Sequence, residues 1–186
     1  EVNMLKSLHL STLFFALAFT FGLGAGLAQA AYINADTVIY AYPPGYTFAT
    51  GYDNRGDLTA TSATTDETAM TVAGGFANSG AITAEGTLGG AGIALWTGDF
   101  TQSDGTLNAT GGTAGTGIFI DAGSFFQSGG ATIVTSNGPA SRGFHLWEGD
   151  FIQSGGAVTA MANGGRAIYL DEGDFSQYGG TLTATG

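Results

Sequence analysis

The chain has no cysteine, three prolines and only four lysines and arginines among its 186 residues. Without cysteine it can form no disulfide, no thiolate metal site and no cysteine nucleophile. Charged residues make up 10% and hydrophobic ones 44%, which argues against disorder, since disorder pairs low hydrophobicity with high net charge. The shortage of basic residues leaves a net charge of −11, unchanged when Glu1 and Lys6 are removed with the amino-terminal segment. A surface of that sign repels phosphate backbones, so nucleic acid is not an expected partner. Acidity of this degree also serves solubility without any dedicated ligand.

What the chain does have is glycine, 33 residues of it, set in a phrase that recurs four times. The copies read GIALWTGDFTQSDGTLNATG from Gly92, GIFIDAGSFFQSGGATIVTS from Gly117, GFHLWEGDFIQSGGAVTAMA from Gly143 and AIYLDEGDFSQYGGTLTATG from Ala167. Phe100, Phe125, Phe151 and Phe175 keep the rhythm, and Gln102, Gln127, Gln153 and Gln177 follow them. A fixed period of this length marks a solenoid, whose repeats bury their apolar faces against one another.

Each phrase divides into an opening, a middle and a closing run, separated by glycine-containing turns. In the third copy these are Phe144 to Trp147, Phe151 to Ser154 and Ala157 to Met161. Alternation assigns the faces of the opening run. Ile93 and Leu95, Ile118 and Ile120, Phe144 and Leu146, and Ile168 and Leu170 point inward, whereas Ala94, Phe119, His145 and Tyr169 point outward. The closing run repeats the logic with Leu107 and Ala109, Val158 and Ala160, and Leu182 and Ala184; in Ala131 to Thr135 the adjacent Ile133 and Val134 leave the register ambiguous. The predicted fold is an all-β, right-handed parallel β-helix with three short strands per coil of about 25 residues and five to six coils. Stacking sets equivalent residues about 4.8 Å apart, giving ladders of Phe, Ile and Gln, the glutamine amides bonding to one another along the axis.

Three segments follow. Residues 1–30 read as a secretory leader with upstream residues: Met4-Leu5-Lys6, an apolar run from Leu8 to Leu27, then Ala28-Gln29-Ala30, with cleavage expected after Ala30. The run is long enough to span a bilayer, but Gly22, Gly24 and Gly26 and the lack of a basic stop-transfer cluster argue for removal. Residues 31–68 read as a cap and an imperfect first coil with Pro43-Pro44 in a turn or at an edge, and 69–186 as the repeats. Because a repeat closes at Gly186, the chain is expected to be a fragment of a longer protein, with any carboxyl-terminal anchor missing.

The D-F-x-Q-S-G-G unit behind a leader resembles the parallel β-helical passengers of bacterial autotransporters and filamentous-haemagglutinin-like adhesins, over residues 69–186. The resemblance implies export to the bacterial cell surface or beyond it. It implies a non-catalytic structural or adhesive role, with membrane association only through the leader or an absent carboxyl-terminal anchor. Partners in that role would be host or matrix glycans, surface proteins, or further copies meeting at the coil ends, the last making a filament subunit. Carbohydrate-processing enzymes share the architecture and form the rival reading.

The residues offer that rival little. Asp99, Asp150 and Asp174 precede the phenylalanines, Ser124 breaks the series, and Asp121 and Asp171 end opening runs. Turn and solubility roles suit them better than calcium binding or general acid–base work, since stacked like charges repel and Asp favours turns. Arg142 and His145 lie close in sequence, yet no motif ties carboxylates to them. No catalytic residue, metal or cofactor is therefore assigned. The binding candidates are the outward rings Trp96, Phe119, His145, Trp147 and Tyr169, with Trp96 and Trp147 at equivalent places two coils apart.

Overall fold

The computed structural model describes residues 32–41, 46–48, 51–62 and 65–186. The leader and Pro43-Pro44 lie outside these residues. Among the described residues there are twenty strands and no helix, and so no helix long and apolar enough to cross a membrane. Every strand pairs in parallel with its equivalent one coil away, so the fold is a parallel β-solenoid with three strands per coil of about 25 residues.

Three sheets result. The middle runs form a seven-stranded sheet of three-residue strands, from Tyr32–Asn34 through Phe100–Gln102 to Phe175–Gln177. The closing runs form another seven-stranded sheet, from Thr37–Ala41 through Ala131–Asn137 to Thr181–Thr185. The opening runs form a six-stranded sheet, from Tyr46–Phe48 through Arg142–Glu148 to Arg166–Glu172. The segment 31–68 contributes strands to all three, in register with the repeats that follow. In the third copy the opening strand starts at Arg142, ahead of the apolar run, which brings that side chain onto the sheet.

The core is a column of stacked rings. Tyr52, Phe76, Phe100, Phe125, Phe151 and Phe175 follow one another with centroids 4.9–5.4 Å apart, near the coil spacing of a parallel sheet. Phe144 enters from the opening sheet and sets its edge against both Phe125 and Phe151. Offset ring pairs add about 0.5–1.5 kcal/mol each beyond burial, so the column favours one register over its alternatives. The ambiguous closing strand resolves with Thr132 and Val134 buried and Ile133 exposed. Thr132 takes the place of Leu107 and Val158 because its hydroxyl finds a partner inside, donating to Gln127 Oε1 at 2.6 Å.

Beside the rings runs an amide column that differs from the expected glutamine ladder. Asn34 Nδ2 donates to Asn54 Oδ1, Asn54 to Asn78 Oδ1, and Asn78 to Gln102 Oε1, at 2.8, 2.8 and 2.7 Å. There the chain of amides stops. Gln102 turns its Nε2 to the Asp104 carbonyl at 2.6 Å, and Gln127 and Gln153 donate to carbonyls of the glycine turns and of the coil that follows. Asn54 and Asn78 also donate to the carbonyl two residues on, at 3.0 and 3.2 Å, so what sets the glutamines apart is the missing bond to the neighbouring amide; at Gln127 the Oε1 accepts from Thr132 instead. Both arrangements keep the buried amide nitrogens hydrogen-bonded.

Glycine is required where these turns approach the coil below. Gly156 has φ +68°, and a Cβ there would meet the Gly129 carbonyl oxygen at 2.6 Å. The same left-handed turn recurs at Gly105, Gly130 and Gly180, so each coil turns directly above the last.

Candidate functional site

The outer face of the opening sheet carries all five rings singled out above. Register places Ala94, Phe119, His145 and Tyr169 in one column across four adjacent strands. Two residues further along each strand lies a second column. Asp121 falls beside Trp147 between the pairs Ile120–Leu146 and Ala122–Glu148, so this column runs Trp96, Asp121, Trp147, Asp171. It therefore alternates an indole with a carboxylate, coil by coil.

The rings touch in sequence. Trp96 sets its edge on Phe119 at 5.8 Å between centroids, Phe119 lies 5.1 Å from His145, and His145 lies 5.1 Å from Tyr169 and 6.1 Å from Trp147. The two indoles are the exposed members, at 48% for Trp96 and 52% for Trp147. Phe119 and Tyr169 are half-buried. His145 stands on the outer parity yet is only 7% exposed, because the flanking rings of Phe119 and Tyr169 cover it. A histidine there was expected to be open to solvent, but its neighbours in the stack exclude water from the imidazole.

Burial of the imidazole requires a polar partner, and Asp171 supplies it. His145 Nε2 lies 2.7 Å from Asp171 Oδ2, one coil on. His145, and after it the Tyr169 hydroxyl, hold the Asp171 carboxyl below the ordinary carboxylate range, with the charge of Arg142 adding to the effect. Sequence reasoning assigned Asp171 only to the end of a run. Aligning the phrases by column would have revealed it, since Trp147 and Asp171 then share a place.

The start of the same strands is basic. Arg142 and Arg166 are register partners, and both guanidinium carbons sit over the Tyr169 ring, 5.1 and 4.4 Å from its centroid. Cation–π contact of this kind holds both side chains against the sheet. Neither arginine stood among the binding candidates, because each lies outside the apolar run.

The corner aspartates serve the backbone. Asp99 Oδ1 accepts the Ser124 N–H at 2.9 Å and Asp150 Oδ1 accepts the Asp174 N–H at 2.8 Å, while Ser124 Oγ accepts the Asp150 N–H at 3.0 Å. These bonds cross from one coil to the next, so the carboxylates tie turns together. They go beyond the local turn bonds expected from sequence. Among the described residues no group of three or more His, Asp or Glu side chains is arranged to hold a metal ion. Comparison of the chain with known protein families, curated proteins and solved structures gives no match.

Proposed function

We propose that this chain is an exported, surface-displayed and non-catalytic adhesive module, whose opening sheet binds saccharide. The observation that carries the reading is the pair of half-exposed indoles, Trp96 and Trp147, at equivalent places two coils apart with a carboxylate between them. Flat rings fixed on a rigid sheet stack on the apolar faces of sugar rings, and neighbouring carboxylates accept bonds from sugar hydroxyls. The leader and the resemblance to surface adhesins support display outside the cell.

The enzymatic alternative draws on the approach of His145 and Asp171 with Arg142 nearby. Two features weigh against it. The imidazole is enclosed by rings, and the Asp171 carboxyl is held below its ordinary range, which is the opposite of what a general acid needs. The dyad fits better as the fixture that orients Phe119, His145 and Tyr169.

A screen of immobilised oligosaccharides against the mature chain tests the proposal. The expected result is saturable binding that Trp96→Ala and Trp147→Ala each weaken roughly tenfold, the loss of one hot-spot ring. Binding indifferent to both substitutions would place the site elsewhere.

A further inference from the structure

Arg142 and Arg166 stand one coil apart, about 4.8 Å by strand spacing, and both rest on one tyrosine ring. Like charges set opposite each other on adjacent strands repel. An acidic chain has ample means to neutralise them, with 15 acidic residues against four basic ones. Yet among the described residues the ion pairs are Arg55 with Asp53 and His145 with Asp171, and neither Arg142 nor Arg166 takes part. The carboxylate whose charge Arg142 feels, Asp171, is hydrogen-bonded to His145 instead. The Arg142 Nε–H is also enclosed without an acceptor. Two unpaired guanidiniums side by side present their terminal N–H groups, not the enclosed Nε–H, to a single planar anion.

Their surroundings narrow the ligand further. Along the strands Arg142–Glu148 and Arg166–Glu172 the surface passes from guanidinium to rings to the carboxylates Glu148, Asp171 and Glu172. From the Tyr169 ring beneath the guanidiniums the acidic ends of these strands are only three residues, about 10 Å, away, whereas Trp147 and Trp96 lie across the strands, about 10 Å apart over two coils. A ligand seated on the guanidiniums and running across the strands over Trp147 toward Trp96 meets positive charge at its first unit only, because the opening-sheet strands carry no other arginine or lysine. A polyanion would be repelled by the acidic end and by the net charge of −11. We propose that Arg142 and Arg166, held on Tyr169, form an anion subsite that selects saccharides carrying one terminal carboxylated sugar, the uncharged remainder lying over Trp147 and Trp96. This rests on the saccharide-binding reading above and adds to it the end at which the acid group docks and the charge density accepted.

Calorimetric titration of the mature chain with matched probes tests this: sialyllactose against lactose, a glucuronic-acid-terminated disaccharide against its neutral parent, and a heparin hexasaccharide as the polyanion. The carboxylated member of at least one pair is expected to bind roughly tenfold more tightly than its neutral parent, the scale of a charge-assisted hydrogen bond. Whichever pair shows the gap identifies the acid sugar. Heparin is expected to bind more weakly than either carboxylated probe. Arg166→Ala and Arg142→Ala are each expected to shrink the gap to about twofold while leaving neutral binding in place, and Arg166→Lys to restore it only in part because the planar fork is lost. Arg166 is exposed, so its removal leaves the core untouched, and thermal melting checks the fold. Equal affinity for acidic and neutral probes, or heparin as the tightest ligand, would overturn the subsite while leaving the ring surface standing. Failure of every saccharide to bind would overturn both.

Discussion

His145 and Asp171, from adjacent coils, meet at 2.7 Å beneath the rings of Phe119 and Tyr169. The contact makes a buried imidazole compatible with the sheet surface and fixes two rings of the proposed binding face. Asp171 has its folded-state pKa lowered, so its contribution to stability is present above the ordinary carboxylate value of 3.8 and is lost as pH falls through the folded value. Melting curves between about pH 6 and about pH 3 are therefore expected to show a shallower acid decline for Asp171→Asn than for the parent chain. An identical decline in both would show that the pair contributes nothing.

The ring column makes its buried phenylalanines unequal to the exposed apolar side chains of the outer faces. Phe125 is fully buried between two stacked neighbours and the edge of Phe144, so Phe125→Ala is expected to cost about 3–5 kcal/mol. Ile133, on the outer face of the closing sheet with strands on both sides, is 43% exposed, and its replacement by Ala is expected to cost less than half as much. Chemical denaturation of the two variants measures the difference.

Backbone turns supply an opposed pair of substitutions. Gly156→Ala places a Cβ at φ +68° against the Gly129 carbonyl and is expected to cost about 2 kcal/mol or more. Ala114 already holds φ +62° without being glycine, at the place that Gly138 and Gly164 occupy in later coils. Ala114→Gly relieves that strain at some cost in unfolded-chain entropy, and its expected gain is up to about 1 kcal/mol. Thermal melts of both variants should move in opposite directions.

The amide column is tested where it is fully enclosed. Asn54 accepts from Asn34 and donates to Asn78 and to the Gly56 and Ala81 carbonyls. Asn54→Asp keeps the shape but replaces these donors with a buried charge facing carbonyl oxygens, and is expected to cost at least about 3 kcal/mol at neutral pH. Burial raises the pKa of such a carboxyl, so the loss should shrink as pH falls and the group becomes neutral. A variant as stable as the parent at neutral pH would mean that the column is not closed to water.

The solenoid was legible because its signal is repeated: four copies of one alternating phrase fix the strands, their faces and their parallel stacking. Two closing-run side chains remained ambiguous, since Thr132 goes inward only because Gln127 lies within reach, a contact between two runs. The turn from an asparagine chain to turn-capping glutamines was illegible for a similar reason, as it depends on which side chain of another run, Thr132 at Gln127, takes the amide oxygen. At the outer face, alternation identified the rings but not the burial of His145, nor the two arginines. Those depend on which neighbours in other coils lean over each side chain.

The chain's two tryptophans both lie on the proposed binding face, so emission excited beyond the absorption of its seven tyrosines reports on that face alone. Titration of the chain with the best-binding oligosaccharide of the screen is expected to give a saturable change in tryptophan emission whose midpoint matches the calorimetric affinity. Unchanged emission at saturating ligand would contradict the assignment of the opening sheet as the saccharide-binding surface.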